Sequence, residues 1–155
     1  MARIEVGKKA PAFSLNDQHG TTHRLSTYAG RPVVLYFYPK DDTSGCTKEA
    51  CAFEENLPDF GTSEAVVLGV SILDEASKAK FAKKYGLTFP LLADADHAVC
   101  EKYGVWVEKS MYGRKYMGIA RVTYLIGGDG KVIRRWDDVK VDGHADEVLA
   151  AVRAI

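Results

Sequence analysis

Two short runs, Pro32-Val33-Val34-Leu35-Tyr36-Phe37-Tyr38 and Ala65-Val66-Val67-Leu68-Gly69-Val70-Ser71, constrain the fold more than any other part of the chain. Both are apolar at consecutive positions and rich in β-branched and aromatic residues, so neither has a polar face to turn to water. Such segments are central strands of a sheet covered on both sides. Each is followed by helical spacing. After the first, Ala50, Phe53 and Leu57 recur at intervals of three and four, in a helix expected to end near Pro58. After the second, Phe81, Ala82 and Tyr85 share one face of a helix predicted over Asp74 to Tyr85, which Gly86 stops. A third helix is expected from Asp94 to Tyr103, with Ala95, Val99 and Tyr103 aligned and Gly104 ending it. Val122 to Ile126 and Lys131 to Trp136 form a predicted hairpin across Gly127-Gly128-Asp129-Gly130, and Val148, Leu149 and Val152 give a last helix its apolar face. Near the N-terminus, Ala12 to Leu15 and Thr21 to Leu25 predict an added hairpin over Asp17 to Gly20.

Strand–helix alternation that ends in a hairpin and a helix describes an α/β fold of the thioredoxin type, a central mixed sheet flanked by helices with an N-terminal β-hairpin extension. At 155 residues and 46% hydrophobic composition the chain can bury one core, and a single domain over residues 1–155 is expected. Lys and Arg total 21, Asp and Glu total 21, and the two signs are interspersed, which argues against nucleic acid or an anionic membrane as partner. Met1-Ala2-Arg3-Ile4-Glu5-Val6 has no apolar export-signal core, and no stretch approaches the roughly 20 apolar residues of a membrane span, so a cytoplasmic location is expected. Three cysteines, without such a signal, weaken a disulfide scaffold and leave redox chemistry, catalysis, metal binding and core packing open.

Cys46 follows the first apolar strand, after the turn Tyr38-Pro39-Lys40-Asp41-Asp42-Thr43-Ser44-Gly45, at a predicted helix start. Backbone N–H groups and the helix dipole favour an anionic sulfur there, in a position expected to be exposed and electropositive. Lys40 and Lys48 would favour the thiolate, whereas Asp41, Asp42 and Glu49 would oppose it. In open α/β sheets the site lies outside the carboxyl ends of the strands, where this turn falls. Zinc is disfavoured, because Cys46, Cys51 and Cys100 form no Cys-x-x-Cys pair to complete a four-ligand site with His19, His23, His97 and His144, and no metal or bound cofactor is expected. A thioredoxin-like reductant would carry Cys-x-x-Cys, and a cysteine hydrolase would need one of the histidines beside Cys46. Cys100, three residues before Tyr103 on a predicted apolar helix face, is expected to pack in the core.

Pro39 through Cys46 fits the Pro-x-x-x-Thr-x-x-Cys signature of peroxiredoxins, and Phe37 through Cys51 resembles the bacterioferritin-comigratory, or Q-type, branch. Tyr103-Gly104-Val105-Trp106, Met111-Tyr112-Gly113, Tyr116-Met117-Gly118-Ile119, Arg121 with Thr123-Tyr124-Leu125-Ile126, and Gly143-His144-Ala145 resemble that branch in order and spacing. Ser44, Val122 and Gly127 depart from it, standing where proline, serine and aspartate are common. The resemblance implies a thiol-dependent peroxidase acting on hydrogen peroxide and organic hydroperoxides. Cys46 would be the peroxidatic cysteine, oxidised to sulfenic acid. Thr43 would hydrogen-bond the peroxide or the sulfur, and its position alone suggests a helix cap. Pro39 would shape and shield the turn. Arg121 would favour the thiolate and the charge that develops as the O–O bond breaks, and Glu49 would orient it. Cys51 would be the resolving cysteine, forming an intramolecular disulfide with Cys46 that thioredoxin or a similar dithiol reductant reopens in a monomeric enzyme. On a regular helix two Cα atoms five residues apart lie about 8.6 Å from each other. That exceeds the roughly 7 Å limit for a disulfide, so closure demands local unwinding. The alternative is a redox sensor or holdase that uses the same thiols as a switch, without rapid turnover.

Overall fold

The computed structural model describes residues 2–155; Met1, where the expected domain begins, lies outside them. In chain order the elements are β1 (Ser14–Asn16), β2 (Thr22–Arg24), β3 (Val33–Phe37), α1 (Ser44–Glu55), α2 (Leu57–Thr62), β4 (Val66–Ser71), α3 (Glu75–Tyr85) and β5 (Leu91–Ala93). They continue with α4 (Ala98–Lys102), β6 (Trp106–Met111), β7 (Arg114–Ile119), β8 (Val122–Ile126), β9 (Val132–Trp136) and α5 (His144–Arg153). Seven strands form one mixed sheet in the order β2-β1-β5-β4-β3-β8-β9, and β6 and β7 form a separate two-stranded ribbon. β3, β4 and β5 are parallel, while β8 runs antiparallel to β3. This is the thioredoxin-type layout, with the N-terminal hairpin joined to β5 at Asn16 opposite Ala93.

The two-faced apolarity of β3 is used in full. Val34, Tyr36 and Tyr38 enter the core beneath α1, α2, α3 and α5, while Val33, Leu35 and Phe37 enter the core on the α4 side. Gly69 of β4 lets the Tyr36 ring lie over it, since a Cβ there would come within 2.9 Å of that ring. No helix among the described residues is long and apolar enough to cross a membrane.

Several segments differ from the sequence expectation, the unforeseen short strand β5 among them. The helix after β3 stops at Glu55, and Pro58, instead of ending it, sits in the first turn of the short helix α2. Proline lacks the N–H that a first turn leaves unused, so it opens a helix more readily than it continues one. The expected Asp94–Tyr103 helix shortens to Ala98–Lys102. The buried Asp94 carboxylate accepts from the N–H groups of Val99 and Cys100, and His97 takes a left-handed φ of 53°, so the preceding residues form a turn and Ala95 is exposed. The β6–β7 ribbon, unforeseen, turns at Tyr112 and Gly113, both at positive φ as a tight two-residue hairpin requires.

Candidate active site

Antiparallel pairing of β3 with β8 sets Phe37 opposite Val122, so the residue before β8, Arg121, stands beside the end of β3 where the chain turns toward α1. Arg121 lies far from Cys46 in sequence and meets it through this register. Its Nη2 donates to Cys46 Sγ at 3.3 Å and its Nη1 to Glu49 Oε1 at 2.6 Å. Gly45 leaves the room: a Cβ there would lie 3.3 Å from the guanidinium.

The turn itself is fastened to α3 by two consecutive carboxylates. Asp41 is buried and accepts from Tyr38 Oη (2.5 Å), Ser77 Oγ (2.7 Å), Ser71 Oγ (3.4 Å) and the fully buried Lys78 Nζ (3.3 and 3.4 Å). Asp42, at a left-handed φ of 58°, accepts from Tyr85 Oη and Lys84 Nζ at the surface. The two aspartates therefore spend their charge on lysines of α3 and not on the thiol. Lys48 likewise turns away from Cys46, to pair with Asp142 on the surface.

Thr43 occupies the N-cap position with extended backbone, yet its hydroxyl makes no cap bond and instead donates to Lys40 O at 3.1 Å. The helix-cap reading of its side chain is thereby corrected: the turn behind it supplies a nearer acceptor. The first helical bond comes from Thr47 N to Thr43 O, so the N–H groups of Ser44, Gly45 and Cys46 have no partner within the helix and mark its end as a place for an anion. Pro39 is half-buried in the same turn.

Cys46 itself is 1% exposed, not on the open surface that its place after a turn suggested. It shares a helix face with Ala50 and Phe53, and that face packs into the core beneath α1. The electropositive surroundings come from the sheet-borne Arg121 and not from the lysines nearby in sequence. Glu49 is also 1% exposed, and its Oε2 has no hydrogen-bond partner. Burial outweighs the Arg121 pairing and pushes the Glu49 carboxyl up to about 7. Cys51 is half-buried further along α1, and burial, with Glu55 and Glu54 adding to it, raises its thiol above the ordinary value. All three cysteines are free thiols. Cys100 lies fully buried on the α4 side of the sheet, away from the other two, where burial and the Asp94 charge raise its pKa.

Sequence reasoning missed Lys78, Ser71 and Ser77, the partners of Asp41. It named His144 without giving it a role; its Nε2 meets Thr123 Oγ1 at 2.8 Å, and burial lowers its pKa to about 4. A lysine one helical turn before Phe81 carries no mark of burial in the sequence.

The AhpC/TSA family pattern matches residues 6–135. A putative peroxiredoxin bcp of Coxiella burnetii is 49% identical over 146 residues, covering 94% of this chain and 97% of the relative. Peroxiredoxin Bcp of Bacillus subtilis is 45% identical, covering 97% and 96%. Among solved structures, a cysteine variant of PrxQ from Xylella fastidiosa superposes with a TM-score of 0.94 at 39% identity, covering 99% and 98%. The bacterioferritin comigratory protein of Xanthomonas campestris, studied for its alkyl peroxide reduction activity, gives 0.90 at 42% identity, covering 97% and 98%. Identity at this level across nearly the full length, with the fold and the signature turn in place, means that the chain belongs to the AhpC/TSA family, in its bacterioferritin-comigratory, Q-type peroxiredoxin branch.

Proposed function

We propose that the chain reduces hydrogen peroxide and organic hydroperoxides, alkyl peroxides among them, with Cys46 as the peroxidatic thiol. The observation that carries this reading is the Arg121 Nη2 bond to Cys46 Sγ at the open end of α1. A guanidinium and the helix N-terminus together favour the thiolate, which is the nucleophilic form. The thiolate attacks the terminal peroxide oxygen in line with the O–O bond. Sulfur takes that oxygen as sulfenic acid, and the other oxygen departs as water or alcohol. Glu49 holds one arm of Arg121 and so fixes the other on the sulfur, Pro39 shields the turn, and the Thr43 hydroxyl turns from Lys40 O to the incoming peroxide.

Cys51 then condenses with the sulfenic acid, releasing water and forming a disulfide. Both thiols sit on one uninterrupted helix, Ser44–Glu55, so their Cα atoms stand about 8.6 Å apart, and the first turns of α1 must melt for the sulfurs to meet. Thioredoxin or a similar dithiol protein reopens the bridge, and the chain works as a monomer, one domain throughout, in the cytoplasm.

The test is peroxide consumption by purified protein with thioredoxin, thioredoxin reductase and NADPH. Cys46→Ser is expected to abolish turnover, because a serine hydroxyl is scarcely ionised near neutral pH. Cys51→Ser is expected to form sulfenic acid once and then stall. Full turnover by the Cys46 variant would move the site elsewhere. Disulfide formation in the wild type with no sustained turnover would favour the thiol switch.

A further inference from the structure

Arg121 is committed to Glu49 through Nη1 and to Cys46 through Nη2, and its guanidinium, which does not deprotonate in proteins, cannot give a proton to the oxygen that leaves when the O–O bond breaks. That oxygen departs as hydroxide or alkoxide, a strong base that needs a proton. The β6–β7 ribbon, which leads directly into Arg121, carries a cation with no such commitment. Along β6 the side chains alternate, so Lys109 shares a face with Val107 and Met111, and its partner on β7 is Tyr116. The Lys109 stem crosses the ribbon over Gly118: a Cβ added there would lie 3.2 Å from its Cδ and 3.5 Å from its Cε. The chain is thus laid toward the end of β7, and from there Ile119 and Ala120 lead to Arg121. Lys109 is half-buried, the charges of Arg121 and Cys46 both act on it, and it makes no hydrogen bond or ion pair among the described residues. Burial and the Arg121 charge also lower its pKa, which makes it a readier proton donor than a surface lysine.

We propose that Lys109 is the general acid of the peroxide step, protonating the departing oxygen as Cys46 is oxidised; this rests on the peroxidase reading above. The step balances as follows. The Cys46 thiolate forms a bond to the terminal, hydrogen-bearing oxygen of ROOH, and the O–O bond breaks with its electron pair going to RO⁻. The Lys109 ammonium gives one proton to RO⁻, leaving Cys46 sulfenic acid, ROH and a neutral Lys109 amine, which water reprotonates. Sulfur is oxidised and the peroxide is reduced, with no further reagent.

A general acid matters in proportion to how poor the leaving group is, so the test varies the leaving group. Rapid mixing of the reduced protein with tert-butyl hydroperoxide, which expels a weakly acidic alcohol, is compared with peracetic acid, which expels acetate. Lys109→Met, which keeps an unbranched stem over Gly118, is expected to slow loss of the Cys46 thiol with tert-butyl hydroperoxide on the order of 100-fold, and with peracetic acid by less than about 10-fold. Lys109→Gln should repeat the pattern. Lys109→Arg keeps the charge but is a far weaker acid, so it should share most of the loss with the alkyl substrate. Equal loss on both oxidants in the Met and Gln variants, no loss on either, or recovery of the alkyl rate by arginine would overturn the proton-donor role while leaving Cys46 as nucleophile. A wild-type protein inert to both oxidants would overturn the peroxidase reading and this role with it.

Discussion

Asp41 and Glu49 flank Cys46 in the sequence and are both buried, yet the structure satisfies them in opposite ways. Asp41 collects donors from Tyr38, Ser71, Ser77 and Lys78, and both of its oxygens are occupied. Glu49 has Arg121 alone, on one oxygen, with the other unpartnered. A saturated buried network holds a single geometry, whereas a buried carboxylate with one partner sits near the balance between its charged and neutral forms. The first arrangement fastens the turn that carries Pro39 and Thr43. The second leaves a charge beside the thiol that can respond to pH and to the progress of the reaction.

Breaking the saturated side should have the largest effect on stability. Lys78→Met leaves the Asp41 carboxylate buried without its cation, and a loss of about 3 to 5 kcal/mol in denaturant unfolding is expected. The double variant Lys78→Met with Asp41→Asn should recover much of it. A loss below about 1 kcal/mol in the single variant would show that the turn is not held from α3.

The Glu49 side should show itself through pH. Its folded pKa of about 7 lies above the usual glutamate value, so between about 4.5 and 7 the folded protein holds a proton that the unfolded chain has released. Stability from this group therefore falls as pH rises through that window, by about 3 kcal/mol in all. His144, lowered to about 4, opposes it, because the unfolded chain gains a proton below about 6.5 that the folded one refuses. The quantity to measure is thus the difference between wild type and Glu49→Gln, which should shift by about 3 kcal/mol in favour of the glutamine protein from pH 4.5 to 8. A flat difference would mean that Glu49 stays ionised throughout.

Cys100 should give the smallest effect. Its neighbour Asp94 is another buried carboxylate, each oxygen of which accepts from a backbone N–H that a side-chain substitution leaves in place. Cys100→Ala removes only a small volume and should cost about 1 to 2 kcal/mol with turnover intact. If turnover collapses in this variant and survives in Cys51→Ser, the resolving thiol is Cys100.

The sequence made the centre of the fold legible because β3 and β4 must be covered on both faces, and because α3 and α5 keep helical spacing between clear stops such as Gly86. The β6–β7 ribbon escaped notice since most of its residues are exposed and no apolar alternation marks it. β5 is too short, at three residues, to carry a pattern. Within the site, Cys46 was legible from the strand, the turn and the helix start alone, whereas Pro39, Thr43, Glu49 and Cys51 took their roles from the family signature in the same continuous stretch. Arg121 entered only through family resemblance, because strand register and not sequence distance brings it to the sulfur. Lys78 had no signal at all: a lysine in a helix reads as solvent-facing until its carboxylate is seen. The burial of Cys46 was misjudged for a related reason, since turn chemistry gives its position in the chain but not the depth of the helix face to which it belongs.

The sulfur rides on a helix while its guanidinium is mounted on the sheet, and this division separates the two jaws of the site mechanically. Any excursion that draws Cys46 toward Cys51 carries the thiol off a cation that stays where β3 and β8 hold it. In the proposed cycle, the surroundings that stabilise charge on the sulfur are thus dismantled by the same movement that closes the disulfide, which would present peroxide with an arginine and no nucleophile. On that proposal, rewinding α1 after reduction reassembles the pair, and the enzyme is rearmed by folding.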